Sequence, residues 1–268
     1  MEKIGIIGQG FVGNAVYQKF KEAYEVLTYD LIKDKCNSTF KEVVDQCEFI
    51  FLCLPTPMGD EGKCNTFIVE DVLREISYIA KSLKIIILKS TIPPGKTDSW
   101  NVITSNVYIC FNPEFLTAAN AVEDFANQDR IIIGGIKTYA KLVGKLYKVL
   151  FPKVKIVYTT NRIAEMVKYV ANTFLAMKVS YANEIYEFCK EAEIDYDEVA
   201  KYTMLDKRLG KTHWAVPGPD GDFGFGGACF PKDVNAMIYH FKLYDVDPIM
   251  LEATWKKNLK VRKEYKND

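Results

Sequence analysis

Short apolar runs alternate with amphipathic stretches through the first 160 residues. "KIGIIGQ", "EVLTYD", "FIFLCLP", "KIIILKS", "VYICFNP" and "RIIIGG" are each bounded by Gly, Pro, Ser, Asn or Asp. Between them lie stretches with helical spacing, of which "FVGNAVYQKFKEA" is the first. Unbroken apolar runs separated by helices predict parallel strands covered on both faces. A last run, "KVKIVYTT", closes this pattern near residue 160. The period then changes. "NRIAEMVKYVANTFLAMKVSYANEIYEFCKEAEI" places Ala164, Val167, Ala171, Phe174, Leu175 and Val179 at three- and four-residue steps, which predicts one long helix. "DYDEVAKYTM" predicts a short helix capped by Asp195, and "CFPKDVNAMIYHFKLY" and "DPIMLEATWKKNLKVRKEY" predict two closing helices. The Gly/Pro-rich stretch "LDKRLGKTHWAVPGPDGDFGFGG" between them reads as a long loop, a length that is usually functional or disordered. The expected class is α/β: a doubly wound parallel sheet over residues 1–160, then an all-helical domain over residues 161–268. No internal repeat and no low-complexity tract breaks this pattern.

Composition narrows the function classes. The formal net charge of +0 and the absence of a concentrated Lys/Arg block argue against a nucleic-acid partner. The basic tail "KKNLKVRKEYKND" is most simply the solvated face of the last helix. No apolar run reaches the ~18 residues a membrane span needs. "MEKIGIIGQG" enters a strand and a glycine loop at once, so no signal peptide is expected. Cys36, Cys47, Cys53, Cys64, Cys110 and Cys189 form no CxxC pair and no metal-ligand pattern. The expectation is a cytoplasmic protein with reduced thiols and no bound metal.

Gly8, Gly10 and Gly13 form G-x-G-x-x-G between the first strand and the first helix, and Asp30 ends the second strand. Glycines there permit a tight turn and close approach of a pyrophosphate to the helix N-terminus. The acid stands at about the ~20-residue distance expected of a ribose-binding carboxylate. With strand, helix and acid in register this predicts a Rossmann-like dinucleotide site. Asp30 would repel a 2′-phosphate, which favours NAD over NADP; FAD is the other user of such a loop.

"GFGGACFPKD" sets Cys229 behind Gly226, Gly227 and Ala228 and ahead of Pro231, Lys232 and Asp233. Proline is tolerated in a first helical turn, so the stretch reads as a flexible loop tipping into a helix. A cysteine at that start feels the positive end of the helix dipole and the charge of Lys232, both of which favour a thiolate nucleophile. The other reading is a buried structural cysteine. Lys168 and Asn172 stand four apart on one face of the long helix, as a polar face also would. Thr56 in "LPTP", Ser90 and Thr91 in "KSTIPPG" and Glu114 in "FNPEFL" follow strands, where open α/β sheets bind ligands; each could be turn chemistry alone.

Together "GIIGQGFVG", "LCLPTP", "KSTIPPG", "FNPEFL", "DRIIIGG", "EMVKYVANTFLAMKVSYANE", "DKRLG" and "GFGGACFPKD" resemble the UDP-glucose/GDP-mannose dehydrogenase family through nearly the whole chain. The resemblance implies a four-electron, NAD-dependent oxidation of a nucleotide sugar, with UDP-glucose going to UDP-glucuronate. It implies Cys229 as the nucleophile of a thiohemiacetal and then a thioester. It gives Lys168 the developing oxyanions, with Asn172 as hydrogen-bond partner. Asp233 and Thr91 would hold a water, and Glu114 would act as base in thioester hydrolysis. Gly8, Gly10, Gly13, Asp30, Thr56, Thr91 and Lys232 would face the cofactor. Glu114, Lys168, Asn172, Arg208 and Gly226 would face the sugar nucleotide. Arg208, in "DKRLG", matches an arginine that in the family reaches a neighbouring subunit's substrate, implying a homodimer through helix 161–190.

Two departures stand beside the resemblance. Family members continue into a further domain that binds the UDP part, whereas this sequence stops at Asp268. A separate UDP-binding chain is therefore an expected partner. Ala118 stands where the family usually has a second glutamate. The alternatives are NAD-dependent oxidation of a smaller alcohol or aldehyde, and a non-catalytic NAD-binding paralogue.

Overall fold

A computed structural model describes residues 2–263. Five of the apolar runs pair as one parallel sheet: β1 (Lys3–Ile7), β2 (Glu25–Tyr29), β3 (Phe49–Leu52), β4 (Lys84–Leu88) and β5 (Val107–Phe111), in the order β2-β1-β3-β4-β5. The order reverses between β1 and β3, and in open α/β sheets ligands bind at the strand ends beside such a switch point. Helices α1 (Phe11–Phe20), α2 (Phe40–Gln46), α3 (Phe67–Ile79), α4 (Lys96–Ile103), α5 (Ala121–Ala126) and α6 (Lys137–Leu150) lie along the chain between and after these strands.

Successive strand residues feed opposite faces, which is why the strands read as unbroken apolar runs. Ile85 and Ile87 pack with Phe20, Phe51, Phe125 and Tyr147 on one face. Ile86 and Leu88 pack with Val43, Val69, Leu73 and Trp100 on the other.

β6 (Arg130–Gly134) and β7 (Lys155–Thr159) form a separate two-stranded parallel sheet instead of extending the first. The outer edge of β5 shows why. Asn101 Oδ1 accepts from Ile109 N at 2.8 Å and Asn161 Oδ1 accepts from Phe111 N at 2.9 Å. Side-chain amides thus satisfy backbone groups that a sixth strand would have used. Two asparagines far apart in sequence perform this, so the apolar runs give no sign of it.

The long helix α7 (Asn161–Glu191) forms as the spacing predicts, followed by α8 (Tyr196–Thr203), α9 (Phe230–Leu243) and α10 (Ile249–Val261). The chain divides into two compact units, residues 1–56 with 65–168, and residues 57–64 with 169–268, so the division falls inside α7. In the second unit Asp195 caps α8, accepting from Asp197 N at 2.9 Å. Ala182, Cys189, Tyr196, Trp214 and Val216 form its core. The long loop is therefore pinned: Tyr196 donates to Trp214 O at 2.7 Å and Trp214 Nε1 donates to Gly210 O at 3.0 Å.

The basic tail departs from the expected solvated face. Arg262 is buried and pairs with Asp220 at 2.7 Å, and Lys257 pairs with Glu187 at 2.6 Å. The rest of that tail, residues 264–268, lies outside the described residues.

Candidate active site

The glycine loop sits at the switch point. Gly8 follows β1 with φ +92°, and a Cβ there would stand 2.4 Å from Cys53 O. A Cβ on Gly13 would stand 1.9 Å from Gly8 O. Both glycines are thus dictated by close backbone approach. Gly10 is the residue before α1, has open space around it, and offers no side-chain cap. No acidic residue occupies the first turn of α1. The first amide groups of that helix are accordingly available to an anion.

Asp30 stands just past β2. Its Oδ2 accepts from Gln9 N at 2.6 Å and its Oδ1 from Ile32 N at 2.9 Å. A cleft of about 510 Å³ opens at the start of α1, lined by Gln9, Gly10, Phe11, Asn14, Asp34 and Lys35 among others. Gln9 is 6% exposed, and its Nε2 is buried without a hydrogen-bond partner. Helix-start donors, a carboxylate able to accept from a diol and an unused amide donor together fit a dinucleotide. At the ends of β3 and β4, Thr56 Oγ1 donates to Thr91 O at 2.8 Å. Ser90 Oγ accepts from Leu54 N at 2.9 Å and donates to Leu54 O at 2.7 Å, so Ser90 ties the two strand ends together.

Beyond β5, Glu114 and Lys168 form a buried ion pair at 2.8 Å, with side chains 7% and 4% exposed. Glu114 Oε2 also accepts from Leu116 N at 2.7 Å, and the Lys168 ammonium stands 5.6 Å from the Phe115 ring centroid. A buried pair of this kind survives only with good geometry and further hydrogen bonds. The turn that carries Glu114 hangs on Asn112. Asn112 Oδ1 accepts from Lys89 Nζ at 3.0 Å and from Tyr147 OH at 2.5 Å, and its Nδ2 donates to Ile132 O at 2.7 Å. Burial pushes the Lys89 ammonium down to about 8, against the opposing pull of Cys53 and Glu114. Lys89 and Asn112 have no signal of their own in the sequence, although both stand inside the motifs "KSTIPPG" and "FNPEFL".

In the second unit Cys229 is the residue before α9, with Pro231 in the first turn. Asp233 N donates to Cys229 O at 2.9 Å. The Asp233 carboxylate is fully buried, accepts from Asn172 Nδ2 at 2.6 Å and is ion-paired with Lys232. Burial lowers the proton affinity of Lys232, but the Asp233 carboxylate outweighs it and leaves the ammonium above its ordinary value. Lys232, expected toward the cofactor, is thus engaged with Asp233.

The glycine stretch before Cys229 is clamped from two helices. Phe225 N donates to Asn258 Oδ1 at 2.7 Å, Asn258 Nδ2 donates to Phe225 O at 2.9 Å, and Gly224 N donates to Asn183 Oδ1 at 3.1 Å. A Cβ on Gly226 would stand 2.0 Å from the Arg262 guanidinium, so the glycine leaves room for that cation. Asn258 and Arg262 act across more than thirty positions and leave no local signal in the sequence. Arg208 lies in the exposed loop, its side chain 88% exposed and bonded to Asp206 at 3.0 Å.

Two family models match the chain. The NAD-binding domain model of the UDP-glucose/GDP-mannose dehydrogenase family matches residues 24–151, and the central-domain model of the same family matches residues 162–260. The chain belongs to the UDP-glucose/GDP-mannose dehydrogenase family. Its cofactor is accordingly NAD. The glycine loop precedes the matched span, so its own geometry carries its part of that assignment.

A UDP-glucose 6-dehydrogenase from Rickettsia bellii is 32% identical over 251 residues, covering 91% of this chain and 56% of the relative. The chain spans about half the length of the curated relatives it matches. Among solved structures, a UDP-glucose dehydrogenase from Pyrobaculum islandicum is similar with a TM-score of 0.88 at 26% identity, covering 97% of this chain and 68% of that one. A 3-hydroxyisobutyrate dehydrogenase from Mycobacterium tuberculosis shares the fold at 16% identity, with a TM-score of 0.77 and coverage of 96% and 92%. Among the described residues no helix is long and apolar enough to cross a membrane.

Proposed function

We propose that this dehydrogenase oxidises the primary alcohol of a nucleotide sugar to the carboxylate, UDP-glucose to UDP-glucuronate, through a covalent intermediate on Cys229. Bound NAD serves as the two-electron acceptor of each of the two oxidations. In this reading the first oxidation leaves an aldehyde. Cys229 Sγ adds to its carbon, forming the C–S bond of a thiohemiacetal, and the second oxidation leaves a thioester. Water then adds to the thioester carbon, the C–S bond breaks, and the thiol is restored as the carboxylate leaves. Covalent capture keeps the aldehyde from escaping between oxidations. The Lys168 ammonium is assigned to the oxygen that gains negative charge, and Glu114 and Thr91 to the hydrolytic water. Asn172 and Lys232 hold the Asp233 carboxylate in one orientation, one turn beyond the nucleophile.

The observation that carries this reading is Cys229 at the N-terminus of α9, behind Gly226 and Gly227 and one turn from fully buried Asp233. A helix start favours the thiolate form of a cysteine. The same reading takes the protein as a cytoplasmic homodimer. Val170, Phe174, Tyr181 and Phe188 of α7 are 51%, 58%, 56% and 65% exposed and follow one another at four- and seven-residue steps. They make an apolar stripe suited to a second copy, with Arg208 reaching the partner's substrate.

The test is incubation with NAD and UDP-glucose, followed by mass spectrometry of the protein and product. The parent should form glucuronate, whereas Cys229→Ser should yield at most a slow first oxidation and no thioester. Carboxylate formed by Cys229→Ser at the parent rate would reject Cys229 as nucleophile. A small hydroxy acid assayed in parallel asks whether a smaller substrate is preferred.

A further inference from the structure

Lys89 follows the last residue of β4 and Asn112 the last residue of β5, and the register that sets Leu88 opposite Phe111 brings the two side by side. Lys89 is 3% exposed, and its ammonium donates to two neutral oxygens, Asn112 Oδ1 at 3.0 Å and Pro113 O at 3.4 Å. A buried charge bonded to neutral acceptors is costly, and an apolar side chain of the same length would avoid that cost. What the ammonium holds is the chain ahead of Glu114. Asn112 Oδ1 also accepts from Tyr147 OH at 2.5 Å and its Nδ2 donates to Ile132 O at 2.7 Å, so the amide is fixed at both ends. Pro113 is the residue immediately before Glu114. The Glu114 carboxylate pairs with Lys168 at 2.8 Å, and Glu114 and Lys89 attract one another across the turn. A cation buried against its own stability thus grips both residues that lead into a candidate base.

We propose that Lys89 is a positioning residue for the hydrolytic step: its ammonium fixes Asn112 and the Pro113 carbonyl, and so holds the Glu114 carboxylate where it takes a proton from the attacking water. This rests on the double oxidation through Cys229. Lys89 itself touches no reacting atom. The water adds to the thioester carbon, its proton passes to Glu114, and the C–S bond breaks to release the Cys229 thiolate, so no further oxidant or reductant enters. The two oxidations precede this step and make no use of Glu114 as a base. Lys168 is carried by α7, so its backbone does not depend on the turn that Lys89 holds. Loss of Lys89 therefore slows hydrolysis and spares the oxidations.

Lys89→Met, which keeps the length and removes the charge, is compared with the parent by stopped-flow detection of NADH and by mass spectrometry of the intact protein during turnover with NAD and UDP-glucose. The variant should release a first burst of two NADH per active site at the parent rate. It should then turn over about tenfold more slowly, less than the ~100-fold that a 1 Å misplacement can cost. The thioester on Cys229 should accumulate as it does so. Tyr147→Phe removes the other donor to Asn112 Oδ1 and keeps the ring, and should slow the same step by a smaller factor. It carries the test if Lys89→Met does not fold. Steady-state turnover at the parent rate in both variants would overturn the inference. A burst slowed by the same factor as turnover, without thioester, would mark a merely structural role and overturn it too. A parent that released one NADH per sugar would defeat the double-oxidation reading, and the inference with it.

Discussion

Lys89 is a buried cation held by an amide oxygen at 3.0 Å and a carbonyl, Pro113 O, at 3.4 Å. Because burial brings its proton affinity down to about 8 from 10.5, the unfolded chain binds more protons at this site than the folded one between those values. Stability from this residue therefore rises with pH across that window, at up to about 1.4 kcal/mol per pH unit. Cys47, Cys53 and Cys110, which burial raises to about 11, 12 and 12 from an ordinary 9.0, act in the opposite sense above about pH 9. Comparison with Lys89→Met cancels the contributions of Cys47 and Cys110, to which Lys89 is not coupled. Urea unfolding at about pH 7.5, 8.5 and 9.5 should show the parent gaining on the variant at each step. A constant difference would mean that Lys89 does not titrate in the folded protein. None of this is legible locally. "LKS" reads as the end of a strand, and only the pairing of β4 with β5 brings Asn112 to the ammonium.

At the scale of elements, α4 depends on Glu165 of α7. Glu165 is fully buried; its Oε2 accepts from Gly95 N at 2.5 Å and its Oε1 from Thr97 N at 3.0 Å, capping α4 from outside the helix. Burial raises the proton affinity of this carboxyl, against the pull of those hydrogen bonds. Glu165→Ala leaves the buried Thr97 amide and the partly buried Gly95 amide unpaired and should cost about 1–3 kcal/mol. The neutral Glu165→Gln should cost less, and equal melting temperatures for the two variants would refute the cap. The outward face of α7 carries the second element-scale prediction. Phe174→Glu with Tyr181→Glu should convert a dimer to monomer in sedimentation at about 10 μM, a concentration at which an obligate dimer stays assembled. A parent chain that sedimented as a monomer would reject the interface. The spacing of α7 was readable in the sequence, because a helical period shows itself over thirty residues. The two-stranded β6–β7 sheet was not, because side chains of Asn101 and Asn161 decide where the larger sheet ends.

For the whole molecule, the glycine loop, Asp30 and the start of α9 were legible because each depends on neighbours within a few positions. The groups that hold them were not. Asn258 and Arg262 brace the loop before Cys229 from α10 and its end, and Gly62 packs its backbone against Asn235 of α9, placing residues 57–64 in the second unit. Such pairs join positions that share no pattern. The NAD-binding unit carries the buried Glu114–Lys168 pair, and the helical unit carries the buried Lys232–Asp233–Asn172 cluster. The proposed reaction is a double oxidation through Cys229. Its most direct test is the amount of NADH released per UDP-glucose consumed, followed to completion with the parent chain and with Cys229→Ser. The parent should release two NADH per sugar, and Cys229→Ser no more than one, without glucuronate. One NADH per sugar from the parent, or two from Cys229→Ser, would contradict it.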